Sequence, residues 1–198
     1  PPDEDFSHAL RRLGENMGFT ELHLTGGEPT LHPRLPELVS LATDQGYRVC
    51  MTSNGENGAR QIPACAEAGL DRVNFSIFGT TPEELAQVQH ERFRDRAKAA
   101  AKIDALHASI QACVEHRIRA SANIVVLDRT HIERVHRLLD SYAPQLSVRL
   151  LNSLDHGQES LDAIDEVLRQ RGAVAEARRL TAGASGARTA YLIDGGAR

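Results

Sequence analysis

The chain has 198 residues, of which 41% are hydrophobic and 25% are charged, and its formal net charge is −4. This length supports one sizeable core, and the negative charge gives no general attraction to a phosphate backbone, so we expect no nucleic-acid partner. The sequence contains no run of about 18 consecutive apolar residues, so we expect no membrane-spanning segment.

Predicted helices and strands alternate along the chain. The hydrophobic spacing predicts strands at Thr20–Thr25, Tyr47–Thr52, Asp71–Phe78, Arg119–Leu127 and Leu146–Asn152. It predicts helices at Asp5–Asn16, Pro33–Gln45, Asn57–Ala68, from Pro82 onward, around Ile103–Val114, and at Thr130–Tyr142 and Ser160–Arg171. The glycine-rich stretch Val174–Arg198 forms either a hairpin or loose chain, with Arg188–Ile193 as its best strand candidate. This order predicts an α/β fold of parallel βαβ units in one domain.

Polar residues follow the first two predicted strands, where a parallel sheet holds its ligands. Gly26-Gly27-Glu28-Pro29 follows the first strand, and its glycines allow a ligand to approach the backbone while Glu28 can accept from an ammonium group. Thr52-Ser53-Asn54-Gly55 ends the second strand with hydroxyl and amide groups. Each sequence is also compatible with a simple turn, and that alternative stays open here.

The third and fourth strands add two isolated polar residues. Ser76 lies among apolar residues, and its hydroxyl can bond either a ligand or a backbone carbonyl. Asn123 carries an amide that needs several partners, which a ligand or a core water can supply. His23 and His156 lie at or beside strand ends, and we consider them as substrate contacts against the alternative of locally satisfied histidines.

The cysteines do not form a recognisable site. Cys50, Cys65 and Cys113 are widely spaced and odd in number, which argues against a disulfide framework and against a metal site. We therefore predict no metal ligands in this chain and a reducing cytoplasm as its compartment.

These motifs resemble those of the radical S-adenosylmethionine (radical SAM) superfamily. Gly26-Gly27-Glu28-Pro29 after Leu22-His23-Leu24-Thr25 is similar to its Gly-Gly-Glu motif, and Thr52–Gly55 is similar to its Thr-Asn-Gly strand end. Arg72–Ile77 and Arg119–Leu127 resemble the two following strands. The resemblance covers roughly Phe6–Asn152 and is closest to the branch containing the GTP cyclase of molybdenum cofactor synthesis.

The resemblance implies a fold, a cofactor and a reaction. It implies a partial (β/α)6 barrel with outer helices, a radical SAM core over residues 1–157 and an extension over 158–198 that packs on the barrel. It implies reductive cleavage of SAM beside a [4Fe–4S] cluster, with electrons from a flavodoxin or ferredoxin, and hydrogen abstraction from a small-molecule substrate. The residues it implies for SAM are Gly26, Gly27, Glu28, Pro29, Ser53, Asn54, Ser76, Asn123, Leu151 and Asn152.

The chain also departs from this family's pattern. It has no counterpart of the Cys-x3-Cys-x2-Cys loop that holds the cluster, so the first βα unit is expected to be missing and the cluster ligands to lie outside this chain. His23 replaces the GTP cyclase's substrate-contacting arginine and Ser121 replaces its substrate lysine, which disfavours GTP. The alternatives are a peptide-modifying maturase and a clusterless homologue that binds a nucleotide-like ligand or a partner protein.

Overall fold

A computed structural model describes residues 2–88, 95–180 and 187–193 of the chain. Its helices are α1 (Glu4–Met17), α2 (Leu35–Thr43), α3 (Gly58–Glu67), α4 (Pro82–Val88), α5 (Arg96–Glu115), α6 (Ile132–Tyr142) and α7 (Gly157–Gln170). Its strands are β1 (Glu21–Leu24), β2 (Arg48–Ser53), β3 (Leu70–Ser76), β4 (Arg119–Val126), β5 (Ser147–Asn152), β6 (Val174–Leu180) and β7 (Ala187–Leu192).

Five strands form one sheet in the order β1-β2-β3-β4-β5. The strands β1, β2 and β3 pair in parallel, with Glu21 opposite Arg48 and Thr52 opposite Asn74. Helices separate these strands in sequence, as parallel crossovers require. The predicted α/β class and the partial-barrel architecture are confirmed.

Buried apolar runs explain why the strands lie inside. Val49, Cys50 and Met51 of β2 are all fully buried, which is typical of a parallel strand covered on both faces. On β3, Val73 and Phe75 are fully buried in the same way. The loops after β2 and β3 therefore follow strands that are buried in the interior.

The chain divides into two compact units. Unit 1 comprises Pro1–Ile77 and Thr81–Ser121, and unit 2 comprises Phe78–Thr80 and Ala122–Arg198. The core of unit 1 contains, among its largest buried side chains, Leu35, Val39, Met51, Ile62, Val73 and Phe75. The core of unit 2 contains Ile124, Val126, Val135 and Leu138. The predicted division into residues 1–157 and 158–198 stays a prediction.

Helix ends follow local capping chemistry. The carboxylate of Asp3 accepts from the Phe6 N–H at 2.9 Å and caps α1, which ends at Gly18 with φ of 67°. The helix predicted from Ser160 begins three residues earlier, at Gly157. Ser160 is buried inside that helix, where its hydroxyl donates to the Val126 carbonyl at 2.6 Å and accepts from the Ser153 N–H at 2.9 Å. Its hydroxyl therefore serves tertiary packing and not the helix start.

The C-terminal stretch takes one of its two predicted forms. β6 and β7 pair antiparallel, with Val174 opposite Leu192, so the hairpin alternative is confirmed for these residues. Residues 181–186 and 194–198, which belong to the same predicted stretch, lie outside the described residues. Within the described parts of the chain, none of the helices combines the length and apolar character needed to cross a bilayer.

Candidate functional site

The loop after β1 places two glycines beside open space. Gly26 and Gly27 have φ of 89° and 48°, a region in which residues with a Cβ are strained. A Cβ built at either position meets no atom within 4 Å, so local packing alone does not demand glycine here. The exposed backbone instead leaves room for a ligand to approach closely.

The carboxylate of Glu28 is the centre of a hydrogen-bond cluster. Its Oε1 accepts from the Thr30 N–H at 3.0 Å, from the Thr30 hydroxyl at 2.6 Å and from the Ser53 hydroxyl at 2.8 Å. Its Oε2 accepts from the Asn54 N–H at 2.6 Å. Glu28 therefore joins the loop after β1 to the end of β2, a role that the sequence motif did not reveal.

Residues next to Glu28 are held rigidly. Pro29 and Thr30 are buried in a short 3-10 turn, which Glu28 caps through Thr30. Ser53 is 1% exposed, and its hydroxyl accepts from the Gly55 N–H at 3.0 Å while it donates to Glu28. The contacts of Ser53 that the structure shows are thus internal ones, and its predicted contact with SAM stays a prediction.

Helix α5 packs closely against the loop after β2. A Cβ built at Gly55, whose φ is 81°, would lie 2.7 Å from Cδ1 and 3.0 Å from Cα of Leu106. The Ser109 hydroxyl donates to the Gly55 carbonyl at 2.7 Å. Glycine is therefore required at this position. The alternative that Asn54-Gly55 forms a turn is also correct in part.

An ion pair connects the loop after β2 to α5. The ammonium of Lys102, 8% exposed, lies 2.8 Å from Oε1 of Glu56. The Glu56 N–H donates to the Asn54 side-chain oxygen at 2.9 Å. The bonds Lys102–Glu56–Asn54–Glu28 form a continuous path from α5 to the glycine loop. The sequence did not mark Lys102 as a site residue, because it lies in an alanine-rich helix with no motif around it.

A row of polar side chains crosses the sheet below these loops. Nε2 of His23 on β1 lies 2.8 Å from the Thr52 hydroxyl on β2 and 3.4 Å from the amide nitrogen of Asn74 on β3. The Ser121 hydroxyl on β4 donates to the Asn74 amide oxygen at 2.6 Å. We call these four residues the polar row. Asn74 and Ser121 are buried, whereas His23 is exposed.

Sequence reasoning found only part of the polar row. The sequence pointed to His23 as a substrate contact and to Ser121 only as the replacement of a family lysine. It did not point to Thr52 or Asn74 as contacts of His23. Strand alternation is the pattern from which these shared positions could have been predicted, because side chains two residues apart lie on the same face of a strand. By the same alternation, Ser76, half-buried at the end of β3, shares the face of Asn74.

Charged residues near the polar row are paired. Glu21 lies on β1 two residues before His23 and forms ion pairs with Arg48 at 3.0 Å and Arg72 at 3.3 Å. Arg119 on β4 pairs with Asp71 on β3. Each of these three arginines therefore has a carboxylate partner, but Arg48 and Arg72 share the single carboxylate of Glu21.

Unit 2 holds the remaining predicted site residues. Asn123 on β4 has a buried side-chain oxygen with no hydrogen-bond partner among the described residues. At the end of β5, Leu151 is 39% exposed and Asn152 is exposed. These features fit the predicted roles of the three residues in SAM binding, which stay predictions.

His156 lies at the start of α7 near a second histidine. It is the half-buried residue that precedes the helix. Burial lowers the pKa of His131, and the charges of Arg134 and His156 lower it further. A hydrogen bond from Thr130 lowers the pKa of the Asp128 carboxyl. The predicted substrate role of His156 stays a prediction.

The cysteines do not fit an iron–sulfur cluster. Cys50, Cys65 and Cys113 are all buried and free, and the described residues contain no group of three or more metal-ligating side chains. Burial raises the pKa of Cys65 and of Cys113 to about 12 and also raises the pKa of Cys50. Thiols of this kind stay protonated, whereas a cluster needs thiolates.

Comparison with known proteins shows the family of this chain. A family description of the Radical SAM superfamily matches residues 1–142. The chain is 42% identical over 93 residues to a GTP 3',8-cyclase of Chlorobaculum tepidum, covering 46% of this chain and 28% of the relative. It is 33% identical over 167 residues to GTP 3',8-cyclase 1 of Pseudomonas aeruginosa, covering 80% of this chain and 48% of the relative. The chain thus spans less than half the length of these curated relatives.

Solved structures share the fold. The chain resembles anSMEcpe with bound AdoMet at a TM-score of 0.60 and 14% identity, covering 85% of this chain and 51% of that one. It resembles Streptococcus suis SuiB bound to the precursor peptide SuiA at a TM-score of 0.62 and 14% identity, covering 85% of this chain and 40% of that one. The strand order, the Gly26-Gly27-Glu28 loop and the match over residues 1–142 agree, and the chain belongs to the radical SAM superfamily, near its GTP 3',8-cyclase branch.

Proposed function

We propose that this chain is the SAM-binding part of a radical SAM enzyme that acts on a small-molecule substrate. The observation that carries the proposal is the Gly26-Gly27-Glu28 loop, whose two glycines have positive φ and border open space and whose carboxylate is fixed by Thr30, Ser53 and Asn54. When bound, SAM would supply radical chemistry, because one-electron reduction breaks its carbon–sulfur bond, releases methionine and leaves a 5′-deoxyadenosyl group able to remove a hydrogen atom from the substrate. The chain's own residues bind and orient SAM and hold the substrate in reach.

Gly26, Gly27 and Glu28 have the following tasks in this proposal. The backbone at Gly26 and Gly27 accepts from the methionine ammonium, and the Oε2 of Glu28 adds negative charge beside it. Oε2 accepts one bond from the Asn54 N–H, which leaves it further acceptor capacity.

The proposed enzyme needs components that these residues do not supply. The three cysteines do not fit the cluster, so the proposal requires cluster ligands other than Cys50, Cys65 and Cys113. It also includes an electron donor of the flavodoxin or ferredoxin type and a cytoplasmic location. A peptide substrate is the second candidate, because the fold is shared with proteins solved with peptides, such as SuiB with SuiA.

Calorimetry with SAM tests the proposal on this chain alone. We compare Gly26→Ala with Gly46→Ala, because both glycines have similar positive φ, 89° and 84°, and a Cβ at either one meets no atom within 4 Å. The backbone strain is therefore matched, at about 1 kcal/mol. Gly46 lies between α2 and β2, at the opposite strand end from the Gly26 loop.

The two variants should separate ligand binding from strain. We expect Gly26→Ala to reduce SAM affinity at least about tenfold and Gly46→Ala to leave it unchanged. No SAM binding by the unmodified chain, or equal losses in both variants, would contradict the proposed site. Formation of 5′-deoxyadenosine by the full-length protein, reconstituted anaerobically with iron and sulfide, tests the reaction itself.

A further inference from the structure

The hydroxyl of Ser53 already uses its single hydrogen inside the protein. It donates to Oε1 of Glu28 at 2.8 Å and accepts from the Gly55 N–H at 3.0 Å. The direction of both bonds is fixed, because an ionised carboxylate only accepts and a backbone N–H only donates. Ser53 is also buried. Its hydroxyl therefore holds Glu28 and has no hydrogen left for a ligand.

The two oxygens of Glu28 differ in the number of hydrogen bonds that they accept. Within the described part of the chain, Oε1 accepts from the Ser53 hydroxyl and from both the N–H and the hydroxyl of Thr30. Oε2 accepts from the Asn54 N–H alone. Each carboxylate oxygen offers about two lone-pair sites. Oε1 is therefore filled, and Oε2 is the atom that can accept from a further donor.

The donors to Oε1 come from two elements and fix how the carboxylate is turned. Thr30 is buried in the short 3-10 turn that follows Glu28, and Ser53 is the last residue of β2. Rotation about the last side-chain bond of a glutamate is otherwise broad. Because it is held from both elements, the half-buried carboxylate of Glu28 presents Oε2 in one direction.

We infer that Ser53 and Thr30 are positioning residues that hold Oε1 of Glu28 so that Oε2 meets the ammonium group of SAM, and that Ser53 itself does not contact SAM. This role differs from the direct SAM contact that the family resemblance implies for Ser53. The inference rests on the proposed function for the identity of the ligand. The hydrogen bonds that support it all lie within unit 1.

A ligand without an ammonium group should not depend on this arrangement. SAM and 5′-methylthioadenosine share the adenosine and the sulfur, but methylthioadenosine lacks the amino-acid end of SAM. The bond between an ammonium and a carboxylate is charge-assisted and about twice as strong as a neutral hydrogen bond. Loss of the positioning hydroxyls should therefore weaken the binding of SAM and leave the binding of methylthioadenosine unchanged.

Calorimetry with both ligands tests the positioning role. We expect Ser53→Ala to reduce SAM affinity about tenfold and methylthioadenosine affinity by less than about twofold. Thr30→Val removes a hydroxyl but keeps the backbone N–H, so it should act in the same way, and it serves if Ser53→Ala does not fold. Thr30→Ser retains the hydroxyl and should bind SAM as the unmodified chain does. Equal losses for the two ligands would indicate a merely structural role and would overturn the inference.

A control and a double variant separate positioning from direct contact. Ser40→Ala, on α2, removes a hydroxyl that lies 3.5 Å from the Asp44 carboxylate and should change neither affinity. Because Ser53 acts through Glu28, adding Ser53→Ala to Glu28→Ala should cause no further loss of SAM affinity. A further loss of about tenfold in the double variant, as a direct contact with SAM predicts, would overturn the inference.

The same titrations distinguish two kinds of failure. No binding of SAM by the unmodified chain would reject the proposed function. Binding that falls in Glu28→Ala but is unchanged in Ser53→Ala and Thr30→Val would reject the positioning role and leave the proposed function standing.

Discussion

Oε2 of Glu28 accepts a hydrogen bond from the backbone N–H of Asn54 at 2.6 Å, which joins the loops that follow β1 and β2. The same carboxylate accepts from Ser53 and Thr30 through Oε1. In the proposed function, Glu28 thus has two tasks, because it orients the glycine loop and it faces the ligand.

Glu28→Ala should show both tasks. Removal of the carboxylate leaves the N–H groups of Thr30 and Asn54 and two hydroxyl groups without their acceptor, so we expect the free energy of unfolding to fall by about 2 kcal/mol. SAM affinity should fall at least about tenfold as charge and loop geometry are lost together. Urea unfolding and calorimetry measure the two effects. Glu15→Ala, on an exposed position of α1, is the control and should change neither.

Lys102→Ala should weaken the support of the same loop from α5. Loss of the buried ammonium removes an ion pair of Glu56, and the 29% exposure of Glu56 limits the cost to about 2 kcal/mol of unfolding free energy. Lys98→Ala is the matched control, because Lys98 is 65% exposed and lies 3.9 Å from Asp95, so its loss should cost less than about 0.5 kcal/mol. Equal effects of the two variants would show that the Lys102–Glu56 pair does not support the loop.

Gly55→Ala should be more damaging than Gly18→Ala, a glycine substitution in unit 1 that adds no close contact. The new Cβ would lie 2.7 Å from Cδ1 and 3.0 Å from the backbone Cα of Leu106, at a φ of 81°. The backbone strain and the overpacking by the new methyl group add to each other. We therefore expect the free energy of unfolding to fall by more than about 2 kcal/mol, as measured by thermal or urea unfolding. Gly18→Ala is the control, because Gly18 has a φ of 67° and a Cβ built there meets no atom within 4 Å. This variant therefore measures the backbone strain alone, which we expect to cost about 1 kcal/mol of unfolding free energy. A loss no larger than that of Gly18→Ala would mean that α5 moves to accommodate the methyl group.

The buried cysteines should make stability depend on alkaline pH. Burial raises the pKa of Cys65 and of Cys113 from 9.0 to about 12, so the folded state keeps both protons in a range where the unfolded state loses them. This contribution is fully present below pH 9.0 and is lost as the pH rises toward about 12, at up to about 1.4 kcal/mol per pH unit for each thiol.

Cys113→Ala removes one of these two thiols and provides the comparison. The fall in unfolding free energy between pH 9 and pH 10 should be shallower in this variant by about 1 kcal/mol, as measured by urea unfolding. Both native thiols should also resist alkylation at neutral pH. Identical alkaline slopes in the two proteins would show that Cys113 ionises as readily in the folded state as in the unfolded one.

The periodicity of the sequence accounts for most of the fold. Apolar runs such as Val49–Met51 identified buried parallel strands, and the helical spacing between them predicted the crossovers. Boundaries were less predictable where a side chain serves a tertiary contact. Ser160 shows this, because its hydroxyl bonds Val126 and Ser153 inside α7 and does not mark the start of the helix.

The sequence by itself determined the family, the α/β order and the glycine loop, because alternation of strands and helices and the Gly26-Gly27-Glu28-Pro29 motif are local patterns. Only the tertiary structure decided what these residues contact. The His23–Asn74 contact joins positions 51 residues apart, and the Lys102–Glu56 contact joins positions 46 residues apart. Strand register and helix packing create such pairs, and no local pattern of residue types encodes them.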